Sequence, residues 1–546
     1  MIFATPIFGR RTIAFSVLAF GLVSLGLSVS RAQTNTTLPI PSSSNLDSAA
    51  IPPTPSTETN ESATNAAPAA AVTPVPTPVP TPTAAPFVFA DSHTTVSAVF
   101  PGRTAVAAFF ALLSLGGFLL YQSGLTRAKN CGHAATLLLA GTAFAFIGYW
   151  IGGFAVQMGG VGDTHAALAY PLVSPEKNAL DHELGFLASG HHWGVMGNSG
   201  FFLMTDLDPR EAIAVIFLAQ AAMLLIAVAA ALGAALERGR ILSMIVGSFL
   251  TGVFIYPFVA NWIWGGGWLA ELGREFGLGH GFIDLGGAGV VHETAGTLAL
   301  VIALLLGARK GRFDRHRTPQ AIPGHNMPFV VFGTLLLLVS WTAINVLSNS
   351  ASWGLAALNT LLAAAGGLFI SFLLAALRKL RPEPAILCRG LLGGAVASSS
   401  CGGLIDPWAA FVIGIVAGIV VQIALAVLDK ANVDDPSGAV AVHGAAGAWG
   451  VLAMGLFANG IAGPAFNDID GPIRGLFFGG AAHQLAAQAI GCVTIFVVVF
   501  ILGFALLGLT HRILGNRVDA TDEAEGLDWS ETGVLGYQGD TENSGD

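Results

Sequence analysis

The sequence DLGGAGVVHETAG at residues 284–296 has a second copy, DPSGAVAVHGAAG, at residues 435–447. Both copies follow the frame Asp-x-x-Gly-Ala-x-x-Val-His-x-x-Ala-Gly, and both lie in strongly apolar surroundings. The frame therefore places two ionisable imidazoles, those of His292 and His443, in segments where the bilayer interior makes a charged group costly. This repeated histidine is the strongest indication of function in the chain.

The composition predicts a polytopic membrane protein. Charged residues make up only 10% of the chain, hydrophobic residues 53%, and the mean hydropathy is +0.69. The net charge of -9 comes largely from the terminal tail and the loops, so it gives no support to a nucleic-acid partner. The cysteines lack metal-like spacing, and we predict neither a metal nor a cofactor. They are Cys131, Cys388, Cys401 and Cys492.

Two segments precede the hydrophobic part of the chain. Residues 1–32 combine paired arginines, an apolar run and a small-residue end at Ala32, a pattern typical of a secretory signal peptide. An uncleaved first helix is the alternative. Residues 33–95 are rich in Pro, Thr, Ser and Ala, which cannot bury a core, so we predict a disordered exported linker.

Eleven hydrophobic segments follow within residues 96–515, each close to the length that a hydrocarbon core of about 30 Å requires. They lie near 104–125, 133–157, 211–235, 241–266, 284–307, 327–347, 353–377, 385–403, 407–429, 436–458 and 482–512. The arginine and lysine residues between them gather on one side, which the positive-inside rule makes cytoplasmic. We therefore predict an all-α, multi-pass protein of the inner (plasma) membrane, with the mature N-terminus outside and a cytoplasmic tail at 516–546.

This topology makes the two copies of the frame antiparallel, because the fifth span runs inward and the tenth outward. Each histidine lies eight residues after its aspartate, or about 12 Å deeper in a helix, so the two imidazoles should converge near the midplane. The Ala and Gly that follow each histidine permit close helix approach. Such a pattern is typical of two inverted five-helix repeats with the site between them. A single histidine would more often be a core residue, but two in matched frames favour function.

Over roughly residues 97–540 the chain resembles the ammonium transporters of the Amt/Mep/Rh superfamily. Besides the two frames, the resemblance rests on GGFLLYQSGLTRAKN at 116–130, WIWGGGWL at 262–269 and NTLLAAA at 359–365. It implies the Amt-type channel fold, a homotrimer with one pore in each subunit, an outer recruitment site for ammonium, an apolar gate, and a narrow path lined by His292 and His443.

The same resemblance assigns the outer site. Trp264 matches the vestibule tryptophan, which can offer a cation-π face, and Ser348 matches the recruitment serine, which can accept a hydrogen bond from the cation. Asp284 would favour the cation electrostatically, although its position at a helix start equally suits an N-cap. The alternatives are an interfacial anchor for Trp264 and a helix-end residue for Ser348.

The gate departs from the family pattern. The positions of the two gate phenylalanines fall on Met223 and Ile344, and the vestibule positions fall on Ala219 and Trp341. An apolar plug is retained, but stacked aromatic rings are not, and a flexible thioether seals less rigidly than a ring. Phe217 is the residue that could fill part of the missing role.

Two further segments concern partners. The exported insertion at about 158–210 contains several histidines and carboxylates, which raises a metal-site hypothesis beside the simpler interpretation of a polar loop that caps the vestibule. The tail segment at 523–528 matches the family's cytoplasmic segment, which couples subunits and in many bacterial members meets a PII-type regulator. The stretch after it differs from the family pattern, so PII binding here is a hypothesis.

The leading function is therefore ammonium transport, in which the cation is recruited outside, deprotonated, and passed as ammonia through a twin-histidine pore. The alternatives are an ammonium sensor on the same fold and a channel for another small molecule such as carbon dioxide or methylammonium. Enzyme activity is not predicted, because no nucleophile, acid–base pair or phosphate-binding loop accompanies the histidines. The predicted partners are ammonium or ammonia and membrane lipids.

Overall fold

A computed structural model describes residues 100–161, 180, 182–203, 210–348, 352–461 and 465–537. The chain divides into two compact units, Met1–Thr95 and Val96–Asp546, and the described residues all belong to the second. The predicted signal peptide and linker, and part of the predicted exported insertion, lie outside the described residues.

The described residues are mainly helical, because in hydrocarbon a backbone must satisfy its own hydrogen bonds. The α-helices are α1 (Phe100–Leu125), α2 (Cys131–Gly148), α3 (Phe154–Met158), α4 (Arg210–Leu232), α5 (Ile241–Leu250), α6 (Tyr256–Trp264), α7 (Leu272–Phe276), α8 (Thr294–Leu306), α9 (Met327–Ser348), α10 (Trp353–Leu377), α11 (Pro384–Ser398), α12 (Pro407–Ala431), α13 (Ala446–Phe457), α14 (Ala482–Leu514) and α15 (Ala520–Glu525). Single π-helical segments occupy Tyr149–Gly153, Thr251–Ile255, Ala288–Glu293, Val440–Ala445 and Asp528–Thr532.

Within the described part of the chain, ten helical segments are long and apolar enough to cross a membrane. They coincide with ten of the eleven predicted spans. The predicted span at 385–403 corresponds to α11, an apolar helix of 15 residues, so the count of eleven stays a prediction. Both α11 and α12 begin with proline at the first turn, a position where the missing N–H costs nothing.

The two copies of the repeated frame pack across each other. Each begins as a π-helical segment and continues as an α-helix: the segment at 288–293 leads into α8, and the segment at 440–445 leads into α13. The first segment contacts α13, and the second contacts α8. Helix α14 packs along both α8 and α13. The histidine of each copy is thereby placed against the other copy.

Two short hairpins lie outside the spans. Strand β1 (Glu183–Ala188) pairs antiparallel with β2 (His191–Gly197), and β3 (Ala465–Phe466) pairs antiparallel with β4 (Ile469–Asp470). The β1–β2 hairpin belongs to the predicted exported insertion. That segment thus contains ordered strands, where the sequence suggested a polar loop.

Candidate functional site

The two histidines of the repeated frame meet inside the protein. The Nδ1 atoms of His292 and His443 are 2.9 Å apart, and both side chains are buried. Their ring centroids lie 5.1 Å apart. At this separation one Nδ1 donates a hydrogen bond to the other, which fixes one ring as donor and its partner as acceptor. The convergence predicted from the sequence is therefore present in the structure.

In the first copy, Asp284 acts as a cap for the segment that carries His292. Its carboxylate accepts hydrogen bonds from the backbone N–H groups of Gly287, Gly289 and Val290 at 3.2, 2.9 and 2.8 Å. Gly287 has φ +90°, a left-handed conformation that glycine adopts without strain. The carboxylate is buried and occupied by these contacts, which supports the capping interpretation of Asp284.

The second copy repeats this construction. The carboxylate of Asp435 accepts hydrogen bonds from the N–H groups of Gly438, Ala439 and Val440 at 3.1, 3.0 and 2.7 Å. Gly438 has φ +79°. The two aspartates therefore have the same local role in both copies, and each fixes the start of the segment that carries its histidine.

The local helix type was not predicted from the sequence. The frame reads as an α-helix, but both histidine-bearing segments are π-helical, with hydrogen bonds from residue i to residue i+5. Single π-helical turns inside α-helices are frequently found at functional sites. The sequence feature common to both segments is the Gly-Ala pair after each aspartate, and this pair does not distinguish a π-helix from an α-helix.

Glycine residues let the two copies approach closely. A Cβ atom on Gly296 would lie 2.0 Å from the backbone nitrogen of Gly444 and 2.2 Å from its Cα. A Cβ atom on Gly447 would lie 2.5 Å from the carbonyl oxygen of Ala288. The small residues after each histidine therefore form the helix crossing, as the sequence predicted.

Two aromatic rings enclose the histidine pair. Trp341 has its ring centroid 4.9 Å from that of His292 and 5.4 Å from that of His443, both nearly edge-to-face. Phe118 lies 5.9 Å from His443 and 6.3 Å from Trp341. The resemblance assigned Trp341 to the vestibule, whereas the structure places its ring against the histidines. Phe118 was not singled out, although it lies in the quoted motif at 116–130.

A small cavity adjoins His443. Its walls are Phe118, Tyr121, Gln122, Ala230, Leu392, Ser437, Gly438, Ala439, Val442 and His443. The Tyr121 hydroxyl donates to the carbonyl oxygen of Ser437 at 2.8 Å, so its polar end is satisfied within the protein. The space beside the histidine pair is thus largely apolar, and its polar wall groups include Gln122.

The predicted recruitment residues are placed as follows. The Trp264 indole N–H donates to the carbonyl oxygen of Asp284 at 2.7 Å, which joins the end of α6 to the start of the first frame. The Ser348 hydroxyl donates to the carbonyl oxygen of Ile344 at 3.0 Å, which leaves its own oxygen able to accept. Trp264 and Ser348 are both half-buried at the ends of their helices, where a solute from outside the core could reach them.

The gate candidates Met223 and Ile344 are buried apolar side chains of the core, and Ala219 is buried as well. Phe217 packs against the rings of Tyr149, Phe154 and Phe146 at 5.4 to 5.5 Å. Phe217 thus belongs to an aromatic cluster with the second span. The apolar character predicted for the gate positions is present, and their contribution to gating remains a prediction.

One titratable group next to the site was missed. Glu293 follows His292 directly, its side chain is buried, and its Oε1 accepts from the Cys492 thiol at 3.3 Å. The second copy has Gly444 at the equivalent position, so this carboxyl breaks the symmetry of the frame. The sequence could have indicated this residue, because a glutamate within an apolar membrane-spanning segment is rare and often functional.

On the opposite side of the spans from Trp264, a buried ion-pair network supports the second copy. The Arg309 guanidinium contacts Asp434 Oδ2 at 2.8 Å and Glu237 Oε2 at 3.0 Å. Burial alone would raise the pKa of both carboxyls, Glu237 and Asp434. The positive charge of Arg309, which lies beside both, and of Arg127, which lies beside Glu237, has the larger effect. The pKa of each carboxyl is therefore below its usual value. Asp434 directly precedes the capping Asp435, so this network anchors the start of the second frame.

The tail docks onto the loops and helix ends of its own chain. Glu523 binds Arg517 at 2.8 Å and accepts from the backbone N–H of Lys310 at 2.7 Å. Asp528 accepts from the backbone N–H groups of His133 and Gly536, both at 2.9 Å. The predicted tail segment therefore has an ordered position on the side that carries the Arg309 network.

The metal hypothesis for the exported insertion finds no support in the part of the chain that the structure describes. Within those residues, no group of three or more His, Cys, Asp or Glu side chains has a geometry that could hold a metal ion. The histidines of β2 instead face carboxylates, as His191 faces Glu275 at 3.1 Å.

The helices and the enclosed histidine pair define a multi-pass membrane protein with the fold of Amt and Mep channels. It is similar to a solved structure titled Sensor Amt Protein, with 27% sequence identity and a TM-score of 0.66. The match covers 80% of this chain and 98% of that one. Mep2 of Candida albicans has the same fold, with 24% identity, a TM-score of 0.63, and coverage of 77% of this chain and 86% of that one.

The sequence comparisons identify the family. The model of the Ammonium Transporter Family matches residues 104–537. Ammonium transporter Amt2 of Archaeoglobus fulgidus is 32% identical over 79% of this chain and 86% of its own length. Ammonium transporter 1 member 2 of Arabidopsis thaliana is 32% identical over 76% of this chain and 79% of its own. The chain belongs to the ammonium transporter family.

Proposed function

We propose that the protein moves ammonium across the membrane by separating it into ammonia and a proton at the paired histidines. The observation that carries the proposal is the 2.9 Å contact between His292 and His443 inside an apolar enclosure. Ammonium is a strongly hydrated cation whose burial in such surroundings is prohibitive, whereas neutral ammonia crosses at far lower cost. A hydrogen-bonded imidazole pair can accept or relay the proton that the cation gives up.

The outer end of the path would recruit the cation. Trp264 offers an indole face, and the Ser348 oxygen can accept a hydrogen bond from ammonium. Asp284 would act mainly by capping the frame, since its carboxylate already accepts three backbone N–H groups. Met223 and Ile344 would form the apolar gate between this site and the histidines, and Ala219 would line the approach to it. Trp341, whose ring lies against both histidines, would line the path beside them.

The proposal extends to assembly, orientation and regulation. We infer a homotrimer in the inner (plasma) membrane, with residues 1–32 removed as a signal peptide, residues 33–95 as an exported linker, and the tail at 516–546 in the cytoplasm. A PII-type regulator would bind the cytoplasmic face. The docked position of Glu523 and Asp528 supports this last point, because it gives such a protein an ordered surface to recognise.

The test is an ammonium pulse applied to proteoliposomes, with the membrane current and the internal pH recorded together. We expect a current or an internal pH change that the double variant His292→Ala/His443→Ala alters strongly, in rate or in selectivity against potassium. His316→Ala is the matched control, because that histidine is exposed in a loop. Unchanged transport by the double variant would remove the histidine pair from the mechanism.

An ammonium sensor is the second candidate, because the chain is similar to a structure titled Sensor Amt Protein. The same recording separates the two. A protein that binds ammonium at Trp264 but leaves the current and the internal pH unchanged would be a sensor. Carbon dioxide or methylammonium in place of ammonium in the same pulse tests the remaining alternative of a channel for another small molecule.

A further inference from the structure

The exported hairpin brings His192 between two carboxylates from different parts of the chain. Its Nδ1 lies 3.4 Å from Glu271 Oε2, and its Nε2 lies 3.6 Å from Glu183 Oε2. Glu183 belongs to β1, whereas Glu271 lies in the loop that follows Trp264. The His192 side chain is 33% exposed, while those carboxylates are 2% and 1% exposed. A solvent-accessible imidazole therefore joins two buried acids.

The protonation state of His192 decides whether both contacts are favourable. A neutral imidazole donates from one nitrogen and carries a lone pair on the other, whereas a carboxylate can only accept. With a carboxylate facing each nitrogen, the neutral ring would set a lone pair against an anion. Only the imidazolium presents an N–H and a positive charge to both carboxylates. The contact between the hairpin and the loop therefore depends on one proton.

The hairpin also binds residues on both sides of Trp264. The carbonyl oxygen of Val195 accepts from the Trp262 indole N–H at 2.9 Å, and the carbonyl oxygen of Gly194 accepts from the backbone N–H of Trp268 at 3.2 Å. Both acceptors lie two to three residues after His192 in the same strand. A shift of this strand would thus move residues on either side of Trp264.

Aromatic packing gives the hairpin a second attachment that does not titrate. The Trp193 ring lies 5.4 Å from Trp268 and 5.6 Å from Phe276. Such contacts persist at any pH, so loss of the proton on His192 should loosen the hairpin without releasing it. The proton-dependent part is the link from His192 to Glu271 and Glu183.

We propose that His192 is a positioning residue of the outer vestibule, whose imidazolium fastens the exported hairpin to the loop at 265–276 and thereby holds Trp264 in place for capture of ammonium. This inference rests on the proposed function, in which Trp264 contributes to capture. It concerns a residue that touches neither the histidine pair nor the proposed cation site.

The charged neighbours of His192 set the pH range in which the link is closed. From β1 it faces Glu183, and from the vestibule loop it faces Glu271, which also binds Arg274 at 2.6 Å. Beside it, His191 faces Glu275 at 3.1 Å. Burial raises the pKa of Glu271, opposed by Arg274 and His192. The link should therefore weaken on the acid side, where Glu271 is protonated.

Amide hydrogen exchange of residues 183–197 in the full-length protein tests the link directly, with protection expressed relative to the intrinsic exchange rate at each pH. Over external pH of about 5 to about 8, His192→Arg, which keeps a cation, should stay protected, and His192→Gln should be poorly protected throughout. The wild type should be better protected than His192→Gln. His191→Gln is the matched control, because His191 faces one carboxylate and can donate to it when neutral. Equal profiles for the wild type and His192→Gln would overturn the proposal.

The positioning role is tested by the ammonium concentration that gives half-maximal flux into proteoliposomes. At about pH 5, His192→Gln should raise this concentration about two- to fivefold, as expected for loss of a partly exposed ion pair, with little change in maximal flux. His192→Arg should retain the wild-type value. Identical values in all three proteins would overturn the positioning role. If no variant carries ammonium, the proposed function fails, whereas the exchange experiment still decides whether the link exists.

Discussion

The helix crossing beside the histidines gives the sharpest prediction. In Gly296→Ala, the new Cβ atom would lie 2.0 Å from the backbone nitrogen of Gly444, whereas real Cβ atoms essentially never approach a heavy atom closer than 3.0 Å. The two segments must therefore separate by about 1 Å, because the clashing atoms are backbone and cannot rotate away. His443 directly precedes Gly444, so its contact with His292 would lengthen from 2.9 Å to about 3.9 Å and would no longer be a hydrogen bond.

We therefore expect Gly296→Ala to lose most ammonium transport and to destabilise the protein by about 1–3 kcal/mol, the usual cost of overpacking a core. Two glycine variants serve as controls of graded severity. Gly444→Ala meets its nearest atom at 3.3 Å and should be milder, and Gly508→Ala has nothing within 4 Å and should be neutral. The measurement is flux per amount of reconstituted protein, together with the unfolding midpoint in detergent. Transport by Gly296→Ala at the level of Gly508→Ala would refute the reasoning.

Three further predictions concern the supports of the second frame. Arg309→Ala should destabilise the protein by about 3–5 kcal/mol in denaturant unfolding, because it leaves buried carboxylates without their main cation. Arg312→Ala should cost less, because Arg312 reaches the buried Asp434 only at 3.6 Å and its other partner, Asp429, is more exposed. The pKa of Glu237 is lowered in the folded protein, so its ionised carboxylate stabilises the fold above its unfolded pKa of about 4.3, and this stabilisation is lost as the pH falls through the folded pKa. In Glu237→Gln, the unfolding midpoint should therefore depend less on pH in that window than it does in the wild type. Asp435→Ala should cost about 0.5–2 kcal/mol as the loss of a cap and should lower flux, while Asp435→Asn, which keeps an acceptor, should retain more of both.

The repeated frame shows how far the sequence alone could reach. Its spacing and the positive-inside rule predicted that His292 and His443 converge, and the structure places their Nδ1 atoms in contact. The small residues after each histidine predicted the close crossing found at Gly296. These predictions worked because bilayer thickness, helix rise and charge asymmetry are properties that a sequence expresses directly.

Other features depend on contacts between residues far apart in the chain. The ring of Trp341 lies against the histidines, although the family resemblance assigned it to the vestibule. The histidine that links the β1–β2 hairpin to the segment at 265–276 could not be predicted, because nothing in the spacing of Glu183, His192 and Glu271 resembles a known site. Such assignments require knowing which surfaces pack together.

The sequence by itself determined the class of protein, ten of the segments long and apolar enough to cross a membrane, and the paired histidines, since composition, hydropathy and a repeated frame are local properties of the chain. Only the tertiary structure decided that both histidines lie on π-helical turns, that Glu293 is buried beside one of them, and that His192 joins two carboxylates. The physical reason is that helix type, burial and the sharing of a proton are set by neighbours in space, and many of these neighbours are distant in sequence.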